Sequence, residues 1–145
     1  MIRFDPPQPI LGVSIAVFRE GRVLLATRTK PPFDGAFSLP GGHVEAGEDV
    51  KEAALRELEE EVGVKAKIVA FNRYVEMIEP SPELRQHYVI LSFVGTWISG
   101  EGKPGPEAGE VLWVEPERLD SLKTSPHLRE VVQDAQRILR SKNLV

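Results

Sequence analysis

Cysteine is missing from this chain of 145 residues, which removes disulfides, thiolate zinc sites and cysteine nucleophiles from consideration. Histidine is scarce. His43, His87 and His127 stand far apart in sequence, an arrangement that argues against a histidine-rich zinc site. No apolar run reaches the length of a membrane span: the longest, Ile10 to Phe18, is about half of one and is interrupted by Gly12 and Ser14. Met1 to Pro9 is proline-rich and charged, so it does not read as a signal peptide, and the cytoplasm is the default expectation. Positive charge is not in excess either. A net charge of -4 lacks the basic stripe of a nucleic-acid backbone binder. The expected partners therefore exclude nucleic acid and membrane. A small anionic ligand stays open if metal ions neutralise its site.

What is present reads as one globular domain over residues 1–145, with no internal repeat and no linker. Ile10 to Phe18 reads as a buried strand, Glu20-Gly21 as a turn and Arg22 to Arg28 as its hairpin partner. Lys30 to Gly35 is a loop whose two prolines disfavour helix, and Ala36 to Leu39 is a short strand that Pro40-Gly41-Gly42 breaks. Asp49 caps a helix that runs to Val62 and closes on Gly63, with Ala54, Leu58 and Val62 as its apolar stripe. Lys65 to Glu79 and Gln86 to Ile98 read as strands on either side of Pro80-Ser81-Pro82. A loop from Ser99 to Gly109 precedes a strand at Val111 to Val114, and Ser125-Pro126 caps and starts a last helix. Strands, helix, strands, helix in that order fit an α/β (α+β) architecture, a mixed sheet with helices on both faces.

The acids of the first helix carry the chemistry. At about 100° per residue, Ala53, Glu57, Glu60 and Glu61 share one side, turned away from the apolar stripe. An acidic helix surface is usually just a solvated one. Here, however, like charges four residues apart oppose each other by some tenths of a kcal/mol, and within the helix only Arg56 lies close to them. Oxygen-only ligands of this kind suit Mg²⁺ or Mn²⁺ better than zinc. The Gly41-Gly42 turn can bring backbone carbonyls close to the acid face, and Arg56 can hold Glu48 through a two-pronged contact.

Gly42, five residues, Glu48, seven residues, then Arg56-Glu57-Leu58-x-Glu60-Glu61-x-Gly63-Val64: this pattern resembles the box of the Nudix hydrolases at every specified position. The resemblance implies that family's αβα sandwich, and hydrolysis of a nucleoside diphosphate linked to another moiety by water attacking one phosphorus. It implies that Glu57, Glu60 and Glu61 bind Mg²⁺, with the Gly41 carbonyl completing part of the shell and Arg56 supporting them. It leaves two sources for the general base, Glu57 or a carboxylate of a later loop. Glu107 leads there, as base or metal ligand, in a Gly/Pro-rich segment able to swing over the site. Glu110 and Glu101 follow, and the plainer reading of all three is an acidic surface loop.

Segments Arg22 to Leu25, Pro31 to Gly42 and His87 to Val89 are similar to small bacterial ADP-ribose pyrophosphatases, and Pro80 stands sixteen residues after Val64 as in ADP-ribose-cleaving relatives. This favours ADP-ribose or a like nucleotide sugar, cleaved to AMP and a sugar phosphate. Two alternatives are a pyrophosphohydrolase that cleans the nucleotide pool and a non-catalytic nucleotide sensor. Arg28 is a candidate for a phosphate, while Phe33 and Phe37 are candidates to stack the base, with a structural role the plainer reading for both rings. His87, Tyr88, Trp97 and Trp113 read as packing residues. The resemblance also leaves a homodimer open.

Overall fold

The computed structural model describes residues 3–29, 34–79 and 84–144. Strand β1 (Arg3–Phe4) is followed by β2 (Ile10–Arg19), β3 (Arg22–Arg28), β4 (Phe37–Ser38) and β5 (Gly41–His43). Helix α1 (Val50–Val62) comes next, then β6 (Lys65–Glu79), β7 (Leu84–Ser99) and β8 (Ala108–Val114). A 3-10 helix (Pro116–Ser121) and helix α2 (Leu128–Ser141) close the chain.

Period-two alternation in the central strands sorts the core into two layers. Val13, Ile15 and Val17 of β2, with Leu24 and Ala26 of β3, meet Ala53, Ala54, Leu58 and Val62 of α1. Ala16, Phe18, Val23 and Leu25 point the other way and meet Leu128, Val131, Val132, Ala135 and Leu139 of α2. One sheet thus carries a helix on each face, as expected, and the sheet is mixed: β2 runs parallel to β7 and antiparallel to β3.

How β2 and β3 part decides where a ligand fits. The turn between them has positive φ at Glu20 (50°) and Gly21 (78°), the tight hairpin geometry that twists with its strands. Their pairing ends early, with Phe18 opposite Val23 and Arg19 opposite Arg22. Further on, β2 takes β5 as its neighbour, while β3 takes β4 and β8. The strands splay beyond the hairpin, and Gly12, Val13 and Ser14 of β2 and Arg28 of β3 line one cavity.

α1 begins and ends where the sequence places it. The Asp49 carboxylate accepts from the N–H groups of Lys51 and Glu52 at 2.9 and 3.1 Å, and Gly63 closes the helix at φ 67°. α2 starts later than expected, at Leu128. Ser125 does not cap it: the residue before the helix is His127, at φ 68°, and the Ser125 N–H donates to the carbonyl of Phe37 at 2.9 Å, tying that segment to β4. The break expected at Pro40-Gly41-Gly42 is shorter than that: β4 ends at Ser38, and Gly41 and Gly42 already belong to β5, paired with β2. Pro80, the clue to ADP-ribose-cleaving relatives, lies outside the described residues. None of the described helices is long and apolar enough to cross a membrane.

Candidate active site

Arg56 organises the acid face from within. Its Nε and Nη2 atoms donate to the two oxygens of Glu48 at 2.6 and 2.9 Å, the fork expected from the sequence. Nη1 donates to Glu57 at 2.9 Å and to Glu60 at 3.1 Å, and Nη2 also reaches the His43 carbonyl at 3.1 Å. One guanidinium therefore ties the loop before α1 to the helix and to β5. These contacts, first from Arg56 and then from the Glu45 N–H, hold the Glu48 carboxyl down at about 2.

Glu57 and Glu61 turn from α1 into a cavity of about 470 Å³. Gly42 makes room for the first of them. A Cβ on Gly42 would lie 2.3 Å from the Glu57 carboxyl carbon, so a side chain there and Glu57 in its present position exclude each other. Glu61 accepts from the Gly41 N–H at 3.0 Å. Burial pushes the Glu61 carboxyl up to about 7, and the neighbouring Glu57 and Glu107 charges add to the rise; the Gly41 N–H and Arg28 oppose it. Burial likewise raises Glu57, against the pull of Arg56. Glu60 departs from the expected trio: it does not line the cavity, and its side chain is 62% exposed and drawn to Arg56.

Glu107 lines the same cavity, but not as part of a segment free to swing. Its carbonyl accepts from the Thr29 hydroxyl at 2.9 Å, and the Lys103 and Gly105 N–H groups bond the last carbonyls of α1 at 2.8 and 2.7 Å. The loop is strapped down. Glu110 has its backbone held by Thr27 at 2.8 Å, and Glu101 pairs with Arg19 at 2.9 Å; neither lines the cavity.

Arg28 does line it, at the end of β3, where its backbone pairs with Gly35 and Ala36 at 2.8 and 3.0 Å. Its charge opposes the rise of Glu61, Glu79 and Tyr88 alike, all of which line the same cavity. Phe37 is corrected as a base-stacking candidate. It is 8% exposed, packed into the α2-side core and absent from the cavity wall. Phe33 lies outside the described residues.

The sequence reading missed the floor. Val75, Met77 and Glu79 alternate on β6 and face the cavity together with Tyr88 and Ile90 of β7, where Met77 stands opposite Tyr88 and Val75 opposite Ile90. A period-two reading of β6 would have grouped Val75, Met77 and Glu79. Only the strand register adds Tyr88. His87 pairs with Glu76 at 2.7 Å and takes no part in the cavity wall.

Glu57, Glu61 and Glu107 supply hard oxygen donors to one cavity, and the burial and mutual repulsion that raise Glu61 are what a divalent cation would offset. The donor chemistry fits. The ligand set is not drawn together: among the described residues no group of three acids or histidines is arranged to hold a metal ion. Arg56 instead holds Glu57 and Glu60, and the Gly41 N–H holds Glu61.

The family model for the NUDIX domain matches residues 8–135, a stretch that takes in α1, the cavity and most of α2. The chain belongs to the NUDIX family. It is 34% identical over 114 residues to an ADP-ribose pyrophosphatase of Methanocaldococcus jannaschii, covering 79% of this chain and 66% of that one. It is 35% identical over 147 aligned positions to an RNA pyrophosphohydrolase of Erythrobacter litoralis, covering 90% of this chain and 88% of the other. The fold is similar to that of a MutT NUDIX hydrolase from Burkholderia pseudomallei, with a TM-score of 0.79 at 28% identity over 88% of this chain and 98% of that one. This NUDIX protein is accordingly an enzyme, a hydrolase of phosphorus-containing anhydrides. Members of the family generally use divalent cations and act on small nucleotides.

Proposed function

We propose that this NUDIX enzyme hydrolyses ADP-ribose or a similar nucleotide sugar with Mg²⁺ (or Mn²⁺), releasing AMP and a sugar phosphate. One observation carries the reading: a single cavity is lined by the acids Glu57, Glu61 and Glu107, by Arg28, and by Val75, Met77, Glu79, Tyr88 and Ile90 of the β6–β7 pair. Acids that suit a cation, a guanidinium that suits a phosphate and apolar and aromatic side chains in one cavity suit a diphosphate flanked by a nucleoside. The similarity to an ADP-ribose pyrophosphatase supports the same substrate class.

A bound divalent cation would neutralise the diphosphate and lower the pKa of a water, and Glu57, Glu61 and Glu107 would be the residues to hold it, with Glu60 and the Gly41 carbonyl as further donors. Arg28 binds a phosphate oxygen. Arg56 restrains Glu57 through its 2.9 Å contact ahead of the charge that develops at phosphorus. The water oxygen bonds to one phosphorus as the bridging P–O bond breaks, and Glu57 or Glu107 takes the water's proton.

The deciding experiment is a Mg²⁺ assay over a nucleotide panel with product identification. AMP plus ribose phosphate from ADP-ribose, at higher kcat/KM than any triphosphate, supports the proposal. Preferred release of pyrophosphate from a nucleoside triphosphate or from a triphosphate-ended RNA overturns it.

A further inference from the structure

The strap from Gly100 to Glu107 is fastened far from the cavity as well as beside it. The Trp97 indole N–H donates to the Gly100 carbonyl at 2.7 Å, and the Trp113 indole N–H donates to the Glu101 carbonyl at 2.8 Å. These are the only two tryptophans of the sequence. The Arg19 guanidinium lies over the Trp97 ring, 3.8 Å from its centroid, and bonds the Glu101 carboxylate at 2.9 Å. Arg19, Trp97, Trp113 and Glu101 thus form a clamp around the start of the strap.

The middle of the strap rests on α1. The last carbonyls of any helix lack partners within it. Here Gly63 N–H takes the Glu59 carbonyl, Gly105 N–H takes that of Glu61 and Lys103 N–H that of Val62. Only glycine permits this approach at position 105, because a Cβ there would stand 2.5 Å from the Glu60 oxygen and 2.7 Å from that of Glu61. The strap is bonded to the backbone of the residue whose side chain lines the cavity. Two residues after Gly105, Glu107 lines it too.

We infer that Gly105 and the clamp of Trp97, Trp113, Arg19 and Glu101 are positioning residues, which hold the Glu107 backbone at the cavity that Glu57 and Glu61 line before substrate arrives. This rests on the role of Glu107 in the proposed hydrolysis. The strap is then a prebuilt wall of the site and not a lid.

The test is a double-mutant cycle of Gly105→Ala with Glu107→Gln, read in kcat and KM, together with amide hydrogen exchange on the protein without metal or substrate. Gly105→Ala alone lowers kcat by about tenfold or more, as small displacements of a catalytic group do. KM stays within about threefold, the mark of an interaction made in the transition state. In the Glu107→Gln background the same substitution costs less than about twofold, because both act through one carboxylate. The Lys103 and Gly105 amides are protected in the wild type, and the Lys103 amide loses protection in Gly105→Ala. Trp113→Phe, which deletes one clamp donor and puts a smaller aromatic ring in place of the indole, repeats the cycle with a smaller loss and carries the test if Gly105→Ala does not fold. Additive losses, or unprotected amides in the wild type, overturn the positioning inference alone. Full activity of Glu107→Gln overturns it together with the role of Glu107.

Discussion

Glu61 is the residue where function and stability conflict most directly. Its carboxyl sits at about 7 because burial and the Glu57 and Glu107 charges disfavour ionisation. A carboxyl raised in the folded state stabilises the fold below its unfolded value near 4.5, and that contribution is lost as pH rises through 7. Metal-free protein should therefore lose thermal stability between pH 5 and pH 8. Glu61→Gln, which cannot ionise, should flatten that slope and melt higher than the wild type at pH 8; a lower melting temperature there would contradict the burial of a charged Glu61. Activity should go the other way. Glu57→Gln and Glu61→Gln should each lower kcat with Mg²⁺ by on the order of 10²-fold, since charge stabilisation at phosphorus is the largest catalytic contribution. Near-normal turnover in both variants would remove α1 from the mechanism.

At the scale of elements, α1 was the most legible part of the chain, because its signals are local. Asp49 at the N-cap, the stripe of Ala54, Leu58 and Val62, and Gly63 at the C-terminus all act within the helix they define. Asp49→Ala should cost about 1 kcal/mol by leaving the Lys51 and Glu52 N–H groups without their acceptor. That corresponds to a fall of roughly 3 °C in Tm for a chain of this size, readable by calorimetry. The Arg56–Glu48 fork was legible for a similar reason: loop and helix are joined over eight residues. What depended on distant partners was not. Ser125 looks like a cap until its N–H is seen on Phe37, and Phe37 looks like a stacking ring until α2 packs on it. Glu60 looks like the equal of Glu57 and Glu61 on a helical wheel, yet the cavity opens on the other two. Tyr88 joins the cavity floor through strand register, which no local pattern encodes.

On the scale of the whole molecule, a sheet that splits between β2 and β3 places one helix's acids, one strap and one hairpin floor around a single cavity. Each of those parts is held by protein hydrogen bonds without a ligand: Glu57 by Arg56, Glu61 by the Gly41 N–H, the strap by α1. The remaining unfavourable terms are the burial of Glu57 and Glu61 and the repulsion among the cavity's carboxylates, and both grow as they ionise. A divalent cation that binds only the folded protein adds stability as RT ln(1 + [L]/Kd). Because it competes with protons for Glu61, its effect must depend on pH in a set direction. Millimolar Mg²⁺ should raise Tm at pH 8 by several degrees, on the order of 1–3 kcal/mol for occupancy well above Kd. At pH 5.5, where Glu61 holds its proton, the increment should shrink. Scanning calorimetry at the two pH values, with Ca²⁺-free buffer and an EDTA control, measures both increments. Equal increments would mean that the cation acts elsewhere on the surface and that the acids lining this cavity are not its ligands.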